Sequence, residues 1–205
     1  MRKTLIITSL LLMVSGAYAT STAYTSYSDF MAAVAPGYYL EDFGTPATSY
    51  DLPAVFTDGT YAWSATSNDA LQVWGEDDAG GTPCVGSMGT NDYDYPITFT
   101  FPGAPVTAFG GSFYNTDIDF LPVNGQLTVA LNDGTSVVLD NPYADAFAGF
   151  TSTVPIVSVT LTPEPGAANN LYATADNIIV GTAKVPEPSA LALLGLGLLA
   201  ALRRR

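Results

Sequence analysis

Three carboxylates and an amide, in the pairs Glu41-Asp42 and Asp176-Asn177, are the first residues whose types suggest chemistry. Carboxylate and carbonyl oxygens are the ligands Ca²⁺ prefers. If the strands carrying the two pairs are neighbours, a carboxylate from each, with backbone carbonyls, can hold a structural Ca²⁺. Asp176-Asn177 also reads as a turn pair ahead of the last strand, the reading favoured over calcium. A second group mixes acids with aromatic rings: Glu76-Asp77-Asp78 with Gly80-Gly81, then Asn91-Asp92-Tyr93-Asp94-Tyr95. It reads as a cation site, as a sugar platform or as a soluble loop, and it lacks the Asp-x-[Asp/Asn]-x-[Asp/Asn]-Gly calcium pattern. A third pair, Asp117 and Asp119, would share one face of a strand. Glycoside hydrolysis needs two carboxylates facing each other across a cleft. A pair adjacent in the chain does not meet that need, so solvated loop acids are expected there.

The sequence has twelve Tyr, ten Phe and two Trp. Trp63, Trp74, Tyr93 and Tyr95 are candidates for stacking against the apolar face of a pyranose. The same residue types fill the cores of β-sandwiches, so each has a structural reading beside the functional one.

The charge pattern excludes much more than it permits. The basic residues are Arg2, Lys3, Lys184 and Arg203 to Arg205, and there is no His. The stretch from Thr20 to Ala183 therefore has no Lys, Arg or His, and it holds every acid except Glu187, eighteen of nineteen. No basic patch exists for nucleic acid. No His can serve as general base and no Lys can form a Schiff base. A Ser-His-Asp arrangement and a His- or Cys-built zinc site are equally out of reach. Carboxylate, amide, hydroxyl and aromatic chemistry remains, and a non-enzymatic role is expected. The lone Cys84 cannot form an intramolecular bridge.

Both ends of the chain carry processing signals. Arg2-Lys3, the apolar run Leu5–Val14 and the small-x-small triplet Ala17-Tyr18-Ala19 form a secretory leader, with cleavage expected after Ala19 by signal peptidase. At the other end stand Pro186-Glu187-Pro188, an uncharged run from Ala190 to Leu202, and Arg203-Arg204-Arg205. Those thirteen residues cover about 20 Å as a helix, against the roughly 30 Å of a bilayer core. The run is a marginal anchor, and the arginines would stay on the cytoplasmic side. This three-part tail resembles the PEP-CTERM sorting tail of exported proteins in Gram-negative, biofilm-forming bacteria. The resemblance implies recognition by the membrane protease-transpeptidase exosortase. It also implies an inner-membrane-anchored intermediate, followed by a cell-surface or extracellular location.

The chain divides into a leader (1–19), a single domain (20–183) and the tail (184–205). Within the domain, Ser28–Val34 reads as a short helix capped by Ser28 and stopped at Pro36-Gly37. Short alternating runs follow: Tyr38–Phe43, Tyr61–Thr66, Ala70–Trp74, Ile97–Phe101, Val106–Tyr114, Gln126–Leu131, Thr135–Leu139, Phe147–Thr151, Ile156–Thr162, Leu171–Thr174 and Asn177–Val180. Asn132-Asp133-Gly134 signals a hairpin, and Gly110-Gly111 suggests a bulge or bend. The expected fold is all-β, a β-sandwich, with jelly-roll topology favoured. The order of Leu40-Glu41-Asp42-Phe43, Val106–Gly110, the Gly125–Leu139 hairpin, Phe147–Phe150 and Asp176–Gly181 is similar to jelly-roll domains found ahead of PEP-CTERM tails. Those resemble carbohydrate-binding β-sandwiches. The expected role is a surface or matrix protein that binds extracellular polysaccharide. The alternatives are a Ca²⁺-stabilised structural or adhesive protein and, less favoured, a glycoside hydrolase.

Overall fold

Alternating apolar and polar residues make half-buried strands, and the Gly-, Pro-, Asn- and Asp-containing segments between them turn the chain back. The computed structural model describes residues 20–44, 48–50, 53–74, 86–140, 142–143, 145–166 and 170–184. Among these are one helix, α1 (Tyr27–Ala33), and fifteen strands. They are β1 (Ser21–Tyr24), β2 (Tyr39–Glu41), β3 (Thr48–Tyr50), β4 (Ala54–Thr57), β5 (Ala62–Thr66), β6 (Leu71–Trp74), β7 (Ser87–Thr90) and β8 (Ile97–Thr100). Then come β9 (Ala108–Thr116), β10 (Pro122–Val123), β11 (Leu127–Leu131), β12 (Ser136–Leu139), β13 (Phe147–Ser152), β14 (Ser158–Pro163) and β15 (Tyr172–Gly181).

The strands form two antiparallel sheets. One runs β1-β13-β9-β15-β7-β6-β3, with β10 added on β9 and β2 on β15; the other runs β12-β11-β14-β8-β5-β4. A single apolar cluster joins their inner faces: Phe109, Phe113, Phe150, Ile178 and Val180 from the first, Trp63, Phe99, Leu127, Val129 and Leu161 from the second. The rings of Phe99 and Phe109 meet across the gap at 5.2 Å. This is a β-sandwich, as the alternation predicts.

A smaller cluster lies on the outer face of the first sheet, where α1 packs through Phe30 and Val34 against Ala108, Phe147 and Ile179. Phe30 is fully buried. It fits because Gly110 and Gly149, paired across β9 and β13, leave a pit where side chains would stand. A Cβ on Gly149 would come within 2.7 Å of the Phe30 ring, and one on Gly110 within 3.0 Å.

Several local expectations are corrected. The helix cap is Ser26, not Ser28: the Asp29 amide donates to Ser26 Oγ at 3.3 Å, and α1 begins at Tyr27. Leu171–Thr174 and Asn177–Val180 are not two strands but one, β15, interrupted by a bulge between Asp176 and Ile179. Asn177 makes that bulge by adopting φ +50, a left-handed conformation that Asn tolerates better than most residues. The Gly110-Gly111 pair lies opposite this bulge in unbroken β9. There the glycines serve close packing of Phe30 and Ile178. β1, β4 and β7 escape the alternation reading, β7 because all four of its residues are buried.

Candidate functional site

The candidate calcium residues are brought near one another in the backbone but not in their side chains. β2 pairs with β15, placing Glu41 opposite Ile178 and Leu40 opposite Ile179. Glu41 shares the face of Tyr39, which packs against the inner core; Asp176 pairs with Ser112 on the outer face. Each carboxylate is occupied locally. Glu41 accepts from the Tyr39 hydroxyl and from the Phe43 amide at 3.0 Å. Asp42 accepts from the Gly44 amide at 3.1 Å. Asp176 accepts from the Asn177 backbone and, at 2.9 Å, from its side-chain amide. Among the described residues no three acidic, His or Cys side chains converge as a metal site. Burial, then the hydrogen bond to Glu41 and the charges of Glu41, Asp58 and Asp42, push the Tyr39 phenol well above its usual range.

The loop acids serve as staples. Asp94, at φ +61, accepts from the amides of Gly166 at 3.2 Å and Leu171 at 3.4 Å, tying two loops together. Asp92 accepts from the Asn68 amide at 3.1 Å and Asp69 from the Asn91 amide at 3.3 Å. Asp117 closes the turn after β9, accepting from the amides of Asp119 and Leu121, each at 2.9 Å. The pair Asp117 and Asp119 therefore sits in a turn and not on a strand face.

The aromatic candidates separate. Trp63 is fully buried, stacked on Phe56 at 4.2 Å, and presents no face to a ligand. Tyr93 and Tyr95 are 45% and 42% exposed; Tyr93 rests edge-on against Tyr172 at 6.3 Å. The Trp74 backbone ends β6, while its side chain lies outside the described residues. So do Glu76-Asp77-Asp78, Gly80-Gly81, Cys84, the leader with Ala19, and the tail residues Pro186, Glu187, Pro188, Arg203, Arg204 and Arg205.

The strongest constellation is one the sequence reading did not assemble. On the outer face of the first sheet, Phe147 of β13 pairs with Ser112 of β9, and Ser112 pairs with Asp176 of β15. Leu40 of β2, opposite Ile179 on the other side of the bulge, borders this row on the same face. The bulge tips Asn177 into the row, and Tyr27 at the start of α1 overhangs it. Tyr27, Leu40, Ser112, Asp145, Phe147 and Asn177 line a cleft of about 300 Å³. Tyr27 is 53% exposed and stands edge-on to Phe147, ring centroids 5.6 Å apart. Phe147 is itself wedged against Phe30 at 5.3 Å, so the platform is held from below. The arrangement offers apolar ring and aliphatic surface beside a carboxylate, an amide and a hydroxyl. The sequence signal is weak: Tyr27 precedes the predicted helix start, and Asn177 reads as a calcium candidate or a turn residue at the start of the last strand.

The PEP-CTERM protein-sorting motif matches residues 184–205. The match covers the tail and stops where the sandwich begins. No curated protein and no solved structure matches the chain. Among the described residues no helix is long and apolar enough to cross a membrane.

Proposed function

We propose that this chain, sorted through exosortase by its PEP-CTERM tail to the cell surface or exterior, is a non-enzymatic module. Its sandwich binds neutral extracellular glycan in the Tyr27–Asn177 cleft. The motif supports export and sorting. The observation that carries the glycan reading is the exposed Tyr27 ring beside Phe147 and Leu40, with Ser112, Asp145 and Asn177 within the same cleft. A sugar ring has an apolar face that meets aromatic surface and hydroxyls that donate to a carboxylate. Asp145 and the nearby Asp176 disfavour acidic sugars there, because like charges repel.

A glycan array followed by titration of the best neutral ligand tests this reading. Tyr27→Ala should weaken binding about tenfold, the scale of one lost ring contact. Asp145→Asn should weaken it less. An array without hits, or binding indifferent to Tyr27→Ala, would remove the proposal.

A further inference from the structure

We propose that a second groove, where the two ends of the domain meet, binds the carboxylate of an acidic sugar through the positive charges of Lys184 and the processed N-terminus. The groove has a volume of about 470 Å³ and lies beside β1, β13, the end of α1 and the exit of β15. Hydroxyls wall it: Thr20, Thr22, Thr107, Thr151 and Thr153 all line it, and among the described residues no carboxylate does.

Lys184 is fixed at its rim. The Lys184 amide donates to the Ala33 carbonyl at 2.8 Å, and Nζ donates to the Ala32 carbonyl at 2.6 Å. An ammonium has three donors, and among the described residues the Ala32 carbonyl takes one of them, leaving two for a ligand. Thr20 is fixed from the other side. Its nitrogen donates to Thr153 Oγ1 at 3.1 Å, and its carbonyl accepts from the Thr153 amide at 3.1 Å. Cleavage after Ala19 turns that nitrogen into an α-ammonium group with protons to spare. Thr153 Oγ1 and Thr107 Oγ1, the latter accepting from the Ala183 amide at 2.8 Å, each keep a hydroxyl proton to donate.

Processing makes this place unique in charge. Of the six basic residues, the leader removes Arg2 and Lys3, and cutting at Pro186-Glu187-Pro188 removes the three arginines. Lys184 and the Thr20 amine are then the cations of a domain with eighteen acids. Those acids repel an anion from the rest of the surface. Asp133 accepts from Ser21 Oγ of β1 at 2.6 Å, and Ser21 alternates to the opposite face from Thr20 and Thr22. An oxyanion gains charge-assisted hydrogen bonds from the two cations, and the threonine walls suit the hydroxyls of the sugar that carries it. The site is separate from the Tyr27–Asn177 cleft and does not depend on that cleft binding anything.

The test uses the full chain exported in a Gram-negative host and recovered after leader removal, its N-terminus read by mass spectrometry. It is titrated with glucuronate oligomers and with glucose oligomers of equal length. The expected results are an N-terminus at Thr20 and a preference for the uronate. Lys184→Gln should weaken uronate binding about tenfold, Lys184→Arg should restore most of it, and higher salt should weaken it. Thr153→Val should weaken it too, and Tyr27→Ala should leave it unchanged. Equal binding of the neutral oligomer by the Tyr27→Ala protein, in which the other cleft is impaired, uronate binding indifferent to Lys184→Gln, or an N-terminus elsewhere would overturn the proposal. Tighter binding of glycerol 3-phosphate with the same Lys184 dependence would assign the groove to a lipid headgroup and overturn the sugar.

Discussion

Gly149→Ala isolates the packing that holds the cleft's aromatic platform in place. A methyl at position 149 would lie 2.7 Å from Phe30 Cδ2 and 2.9 Å from two atoms of the Phe147 ring. Carbon atoms prefer about 3.5–4.0 Å, so both rings must move by roughly 1 Å. Phe30 is fully buried between α1 and the sheet, and Phe147 carries the edge contact to Tyr27. Overpacking of this kind costs about 1–3 kcal/mol, against a gain of about 0.5–1 kcal/mol from removing a strand glycine. The net expectation is a loss of about 1–2 kcal/mol. For a domain of this size that lowers Tm by roughly 2–8 °C. Urea unfolding should show a lower midpoint with an unchanged slope. The Phe30→Ala background separates the cause: with that ring gone, Gly149→Ala should cost at most half as much, an interaction a double-mutant cycle measures. Gly149→Ala without loss of stability, or with the same cost in both backgrounds, would refute the packing argument.

The remaining predictions are briefer. Ser26→Ala should cost about 1 kcal/mol by removing the cap of α1, whereas Ser28→Ala should stay within about 0.5 kcal/mol; thermal melts of both decide which serine is the cap. The Ser21 hydroxyl and then the Thr135 amide hold the Asp133 carboxyl below its usual range. Its contribution is present above the unfolded carboxylate value of about 3.9 and is lost as pH falls through the lower folded value; Ser21→Ala should shrink that acid limb in stability measured against pH. The raised Tyr39 phenol acts at the other extreme. Stability should fall as pH rises above about 10, where the unfolded chain ionises first, and Tyr39→Phe should flatten that alkaline limb. Because Glu41 and Asp42 are engaged by hydroxyl and backbone donors, EDTA should move Tm by less than about 1 °C; a shift of several degrees, the scale of a tight cation, removed by Glu41→Gln, would show that these acids hold Ca²⁺.

Much of the sandwich was legible because alternation survives wherever one strand face meets the core. β11 and β14 show it without a break, buried residues alternating with half-buried ones, and the Asn132-Asp133-Gly134 turn fixes the β11–β12 register, with Gly134 at φ +90. The reading failed where a strand is covered on both sides. β7 is buried at every position, so period two vanishes from its sequence; β13 is buried throughout as well, yet its Phe and β-branched content still reads as a strand over Phe147–Thr151. It failed again at Asn177, because a bulge inside a strand and a turn before one use the same residue types. The cleft was hidden for a further reason. Its residues come from α1, β2, β9, the turn before β13, β13 and β15, and pairing at long range is what brings them onto one face. Trp63 shows the converse: residue type alone marked it as a stacking candidate, and neighbours supplied only by the fold put it in the core against Phe56 and Phe43.

The two ends of the domain give the sorting tail a consequence for the sandwich itself. Thr20 and Lys184 line one groove, so the first and last described residues of the domain lie on the same side. Val34 and Ala183 form a bridge there, and the Ala35 amide donates to Thr182 at 2.8 Å, so the root of the tail is stitched to the end of α1. This stitch joins the end of α1 to the residues that follow β15, the two elements that also carry Tyr27 and Asn177 of the cleft. Val34→Ala removes buried surface at this stitch, where Val34 is only 3% exposed. Truncating a buried aliphatic side chain costs about 2–5 kcal/mol at most sites, and the lower end applies to valine. Hydrogen exchange should then show the amides of Ala35 and Lys184 losing protection together, ahead of those in β11 and β14. Loss of protection spread evenly over both sheets would mean that the tail root and the sandwich unfold as one unit, and the stitch would then have no separate role in bearing the tail.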